Sequence, residues 1–312
     1  MPFRDTLFTD NRKVRGGLCY NFFTTLISCS KTVGVNSWVF IVKVILSFII
    51  APMAKIMAPI DWNEAALDSE IEYSKAFGSK PMECSNFIHI YNPFVPWCGD
   101  FNRAVGVNVI DFQSFEEIKR QVESIHEKKG LERPNLYDLN PPEIDNDLWR
   151  DHLRQKGYGL STAIYFCATT EEFTLPSSFS LTIPSLEDYL EWFYLQVQSR
   201  GYFEEEWFQK VKPLQLNFIE VFKPYWLMKG KDLVGWVYCA NLRNYARLFE
   251  VEIQSQCQHQ GMGKLLLRAI RAEGRKMGVE FMLLQSSEGL RNFYERAGFQ
   301  ECTRNSIIWL NG

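Results

Sequence analysis

From Leu248 to Ile253 apolar side chains alternate with carboxylates (Leu-Phe-Glu-Val-Glu-Ile), the period of a half-buried strand. The period then lengthens. Leu265, Leu266, Ala269, Ile270 and Ala272 recur at helical spacing, and Lys264, Arg268, Arg271 and Arg275 fall three or four apart on another face. The spacing predicts an amphipathic helix with a solvated basic side. Gly278 ends it, and Val279 to Leu284 reads as a short buried strand. A second helix over Glu288 to Ala297, closed by Gly298, leads into a last strand from about Phe299 to Leu310. Upstream, Ser185 with Asp188 three residues on marks a helix start behind a strand near Phe179 to Ile183.

The middle of the chain repeats this plan in worn form. Phe101 to Asp111 alternates as a strand, and Ser114 to Lys129 reads as an amphipathic helix with Ser114 as N-cap and Glu117 completing a capping box. Asp147 to Tyr158 is a helix closed by Gly157, and Leu160 to Ala168 a strand. Where the later copy has a glycine loop between strand and helix, this one has only Asp111-Phe112-Gln113-Ser114. Thr174 to Ser178, with Pro176, is the expected linker. The chain thus divides into an N-terminal segment (1–59), an α/β unit over 60–175 and a second over 179–312. An unrelated α+β domain over 60–175 is the alternative.

The first sixty residues differ from both units. They carry seven Lys or Arg against two Asp, and the 17 residues from Trp38 to Ala54 are apolar apart from Lys43 and Ser47. That length is at the short limit for a spanning helix. Membrane contact through residues 38–54, an organelle-targeting segment and a helix packed on the body are all open readings; otherwise the chain is expected in the cytoplasm. A net charge of −3 argues against a nucleic-acid binder. The eight cysteines are scattered without metal-ligand spacing, so no metal is expected.

The chemistry gathers in Gln258-His259-Gln260-Gly261-Met262-Gly263 and, some thirty residues on, Phe293-Tyr294-Glu295-Arg296-Ala297-Gly298-Phe299. A strand passing through a glycine turn into a helix N-terminus presents unpaired backbone N–H groups and a positive dipole end, which favours an anion. The residues fit neither a dinucleotide fingerprint nor a P-loop, because Gly263-Lys264 is followed by Leu265. Taken alone, the turn is equally a tight connection that binds nothing.

With the tyrosine segment added, Q-x-x-G-x-G after an acidic strand and F-Y-E-x-x-G-F before a final strand resemble the GCN5-related N-acetyltransferase (GNAT) family over roughly residues 180–312. The resemblance implies the acyl-CoA N-acyltransferase fold: α/β (α+β), a mixed central sheet flanked by helices, with 60–175 as a degenerate tandem copy. It implies acetyl-CoA as co-substrate and an amine as acceptor. Gln258, the backbone of His259, Gln260, Gly261, Met262, Gly263 and Lys264, and Asn292 would hold the cofactor's diphosphate end. The main chain of Val251 and Ile253 would pair with its pantetheine arm. Tyr294 would be the general acid for the departing thiolate and Glu250 the base for the amine. Against these stand a Tyr294 that merely packs in the core and a Glu250 on an ordinary solvated strand face. One departure is Ser287, where the family often has Asn seven residues before the tyrosine. The amine's identity is not legible; the region Ser185 to Glu206 and the cleft between the units would set it, but aromatics at helical spacing in that region read as core and not as a substrate box. Acyl-CoA sensing without turnover and a membrane-attached interaction module are the competing functions.

Overall fold

The Asp61 carboxylate accepts the backbone N–H groups of Asn63 and Glu64 and so caps helix α1 (Trp62–Ala76). The computed structural model describes residues 60–109, 111–131, 136–139, 147–199 and 205–310. After α1 come β1 (Lys80–Glu83), β2 (Ile88–Tyr91), β3 (Arg103–Val107), α2 (Phe112–Lys129), β4 (Leu136–Leu139), α3 (Asp147–Gln155) and β5 (Tyr158–Thr169). The later run is β6 (Phe179–Thr182), α4 (Leu186–Ser199), α5 (Glu205–Val221), β7 (Lys223–Lys229), β8 (Asp232–Leu242) and β9 (Tyr245–Ile253). It closes with α6 (Met262–Met277), β10 (Phe281–Ser286), α7 (Arg291–Arg296) and β11 (Gln300–Leu310).

All these strands hydrogen-bond into one sheet, ordered β1-β2-β3-β4-β11-β5-β10-β9-β8-β7-β6. The order β-α-β-α-β occurs twice, as β3-α2-β4-α3-β5 and as β9-α6-β10-α7-β11. In each, the first two strands run parallel. The last strands are exchanged. β11 lies on β4, β5 lies on β10, and β5 and β11 pair antiparallel from Gln300↔Cys167 to Leu310↔Tyr158. Hence the linker at 174–178 crosses no break in the sheet, and residues 61–312 form one unit. The segment 1–59, with its apolar stretch 38–54, lies outside the described residues. Among the described residues no helix is long and apolar enough to cross a membrane.

α1 lies across the sheet and ties its two wings. Its Glu70 accepts from Arg103 of β3 (2.7 Å), Arg247 of β9 (3.0 Å) and the Tyr165 hydroxyl of β5 (3.1 Å), all buried. β3 and β9 are five places apart in the sheet, ~24 Å if it were flat. One carboxylate reaches both only because the sheet curves around α1.

Several local expectations are corrected. The N-cap of α2 is Asp111, not Ser114: Ser114 is its N3 partner, donating its N–H to the Asp111 carboxylate at 2.7 Å while its hydroxyl takes the Asp111 N–H. The carboxylate accepts a charge-assisted bond, and the helix gains a turn's start at Phe112. The strand expected over 101–111 is confined to Arg103–Val107. The basic face of α6 is not simply solvated. Arg271 is buried and donates to the carbonyls of Thr169 (2.8 Å) and Ala297 (3.1 Å), Arg268 stacks on Phe173, and Arg275 pairs with Glu172. The row clamps the connection after β5 onto the helix.

Candidate active site

The site begins with a fault in the β8–β9 pairing. Trp236 opposes Glu252 and Tyr238 opposes Phe249, so Val237 faces two residues, Glu250 and Val251. Glu250 has φ 47, the left-handed region that a non-glycine residue enters at a cost. Past this bulge β9 leaves its other neighbour. The parallel β9–β10 ladder runs from Phe281↔Tyr245 to Leu284↔Leu248 and stops, although β9 continues to Ile253 and β10 to Ser286. A wedge opens between them, with the main chain of Phe249 to Ile253 along one wall. The side chains of Val251 and Ile253 pack into the core beneath α6.

At the mouth of the wedge the chain turns through Ser255–Cys257 into the exposed loop Gln258 to Gly261. Gln258 donates its Nε2 to the Ile253 carbonyl and Gln260 to the Gln256 carbonyl, both at 2.9 Å, so these side chains close the loop on itself. His259 (φ 58) and Gly261 (φ 80) are both left-handed. A Cβ on Gly261 would enter open space, so the backbone conformation is what demands glycine there. Gly263 is glycine for another reason: a Cβ would stand 2.8 Å from the Phe293 ring. It makes room for the α7 aromatic. No side chain caps the start of α6, and the N–H of Leu265 makes its bond back to Gly261 at 3.1 Å. The amides of Met262, Gly263 and Lys264 therefore form an uncapped, positively polarised end beside the wedge. Lys264 is exposed in that first turn.

Tyr294 is only 6% exposed, its ring against Phe166 and Phe299. Its hydroxyl lies near the side chain of Ser286, the last residue of β10 and past the end of the β9 ladder. The core packing of the ring and the placement of its hydroxyl at the apex of the wedge are thus compatible. Burial pushes the phenol above its ordinary value of 10, with the Ser286 hydroxyl and the Arg247 charge pulling the other way. Ser287 is exposed and makes no capping bond; the hydroxyl nearer Tyr294 is its neighbour's. Asn292 is exposed on α7.

Glu250 lines a cavity of about 140 Å³ on the other side of the bulge. Val237 and Cys239 of β8 belong to the core under α6, whereas Trp236 and Tyr238 line this cavity, so it lies on the opposite sheet face. Trp192, Phe193 and Gln196 of α4 form one wall, and Tyr73 of α1 with the helix's C-cap Phe77 another. Sequence patterning pointed to the α4 wall and missed the α1 one, which comes from a helix more than a hundred residues away with no motif of its own. Among the described residues no cluster of His, Cys, Asp and Glu could hold a metal ion.

This geometry can be set beside known proteins. The family model of the acetyltransferase (GNAT) domain matches residues 204–307. The ribosomal protein bS18-alanine N-acetyltransferase of Haemophilus influenzae is 31% identical over 77 residues, covering 24% of this chain and 53% of that protein. The chain thus spans about half the length of this curated relative. Two solved structures share the fold at low identity. A conserved protein of unknown function from Staphylococcus epidermidis has 14% identity and TM-score 0.59, over 76% of this chain and 96% of its own. A GCN5-related N-acetyltransferase from Kribbella flavida has 13% identity and TM-score 0.52, over 79% and 96%. Both likenesses cover more of the chain than residues 179–312 comprise, so they reach into 60–175. Residues 204–307 thus match an acetyltransferase (GNAT) domain, set in a fold that these two solved structures share.

Proposed function

We propose that the protein transfers an acetyl group from acetyl-CoA to a primary amine by direct attack. The observation that carries this reading is one juxtaposition: the uncapped N-terminus of α6 stands at the mouth of the β9–β10 wedge, and the Tyr294 hydroxyl stands at its apex. The α6 amides and the loop backbone from His259 to Lys264 would hold a diphosphate, and the open space at Gly261 admits it. Gln258, bonded to Ile253, would fix the loop's shape unless a ligand draws its amide away. Main-chain groups of Val251 and Ile253, released from the β10 ladder, would pair with the pantetheine amides as an added strand.

Acetyl-CoA supplies an activated acyl carbon; the rest is done by the chain. A backbone N–H at the bulge would stabilise charge developing on the acyl oxygen. As the C–N bond forms and the C–S bond breaks, Tyr294 gives its proton to the sulfur. Its high pKa keeps that proton in place at neutral pH. The amine's proton goes to Glu250 by way of water. Holding two reactants in line is worth at best roughly 7–11 kcal/mol, so no covalent enzyme intermediate is required.

Isothermal titration with acetyl-CoA tests the binding half. Gly261→Glu puts a carboxylate at the diphosphate position and should abolish the heat of binding, whereas Gly261→Ala, which carries the same left-handed backbone strain without the charge, should keep a measurable part of it. If the wild type fails to bind, the proposal is wrong. Thiol release across a panel of amines then separates an enzyme from a sensor: binding without release in any amine excludes the transfer.

A further inference from the structure

We infer that the acceptor is a small arylalkyl primary amine, held with its ring in the cavity beneath the bulge and its nitrogen at Glu250. This inference rests on the acetyl-transfer reading and adds what that reading lacks, the class of acceptor.

Volume sets the first limit. The cavity measures about 140 Å³, close to the ~150 Å³ of an apolar cavity known to take up benzene. It has room for one six-membered ring on a short alkyl stem. A peptide would leave most of itself outside; a polyamine or an aminosugar is not excluded by size and is judged by the walls.

The walls set the second. Tyr73, Phe77, Trp192, Trp236, Tyr238 and Phe249 present ring faces and edges from four different elements. Aromatic surface of this kind packs another ring edge-to-face and tolerates a cation near its rim. A flexible polar chain would gain little there, because few polar groups are offered to it. Those that exist are of limited kind. Tyr189 and Tyr238 are bonded hydroxyl to hydroxyl at 2.9 Å, with the Gln215 amide donating to Tyr189, so these groups are already engaged.

Position sets the third. Phe249 and Glu250 line the cavity and are also the first residues of the unpaired wall of the wedge. An amine leaving the cavity past Glu250 therefore arrives at the bulge, on the face opposite the α6 end. The two reactants would approach the bulge from opposite sides of the sheet.

Acetyl-CoA-dependent thiol release, measured for 2-phenylethylamine, tyramine, spermidine, glucosamine and an alanine-starting tripeptide, tests this. The aryl amines should exceed each of the others in kcat/KM by about tenfold or more, since a buried ring contributes far more than a polar chain left in water. Val197→Phe, which fills the cavity from α4, should lower kcat/KM for 2-phenylethylamine about tenfold while acetyl-CoA affinity stays unchanged. Because overpacking can also disturb folding, the half-buried Phe193→Ala supplies the opposite perturbation. It should raise the relative rate of 2-(1-naphthyl)ethylamine over 2-phenylethylamine. Faster release with spermidine, glucosamine or the peptide overturns the acceptor assignment and leaves acetyl transfer standing. No release with any amine overturns both.

Discussion

Replacing Glu70 with Gln removes a charge that two buried guanidiniums share. Arg103 would keep Asp138 as a nearby charge, while Arg247 would keep a long contact of 3.5 Å to Gln285. Both arginines and Glu70 are under 10% exposed at the side chain, so water cannot take over the lost role. Breaking a buried ion pair from one side costs about 3–5 kcal/mol, a large fraction of a typical domain's ~5–15 kcal/mol. With an m-value of about 3 kcal/mol/M, the urea midpoint at pH 7 should fall by about 1–2 M at constant slope. The control lies on the same helix: Glu72 and Lys75 form an exposed pair at 2.8 Å, and Glu72→Gln should cost ~0–1 kcal/mol. Acid titration gives a second readout. Burial alone would raise the Glu70 carboxyl, but the Arg247 and then Arg103 charges outweigh it and hold it below the usual range. A carboxylate so depressed adds stability that is fully present above its unfolded value of about 4.3, and loses it as pH falls through the folded value. The wild type should show this acid limb and Glu70→Gln should not. A midpoint shift no larger than that of Glu72→Gln would refute the reasoning, since it would mean the cluster is solvated.

Three further outcomes follow from other sites. Tyr294→Phe should lower kcat by about 10²–10⁴-fold while leaving acetyl-CoA affinity nearly intact; because burial lifts the wild-type phenol above 10, no loss of activity between pH 6 and 9 should trace to it. An affinity loss in that variant would make Tyr294 a binding residue instead. Burial, against the pull of Arg103, pushes the Asp138 carboxyl up to about 7. A raised acid makes wild-type stability decline as pH climbs from about 4 to 7, by ~1.4 kcal/mol per unit; Asp138→Asn should flatten that slope and denature later than wild type at pH 8. Gly235 pairs with Ile253 just past the bulge, where a Cβ would strike the Glu252 carbonyl and the Ile253 side chain; Gly235→Ala should cost about 1–3 kcal/mol in thermal unfolding and weaken acetyl-CoA binding with it.

Patterning read well where one element's own residues determine it. The α6 stripe is complete in sequence because every third or fourth apolar side chain meets the same core, and the Ser185 cap of α4 is a contact within four residues, with Asp188 N–H donating to the hydroxyl at 3.1 Å. The loop and Tyr294 were legible because backbone conformation and a short motif fix them locally. Strand partnership was not. That β5 sits between β10 and β11 depends on pairings between residues more than a hundred positions apart, and an alternating strand fits any register with the same inner face. Likewise nothing in the 62–76 sequence announces that Tyr73 walls the acceptor side, since an aromatic on an amphipathic helix reads the same whether it meets packed core or a cavity. Ser286 is not marked by the motif, whose spacing points to Ser287 one residue along, and a single-residue step at a strand end changes which face is reached.

The exchanged strands bear on how the molecule is made. β4 is complete at Leu139, but the strand that covers its edge begins at Gln300, about 160 residues later. At synthesis rates of roughly 5–20 residues per second, the β4 edge waits some 8–32 s, open to any other extended segment in the cell. Closure of the β4 edge is therefore gated by the synthesis of β11, long after the earlier strands have left the ribosome.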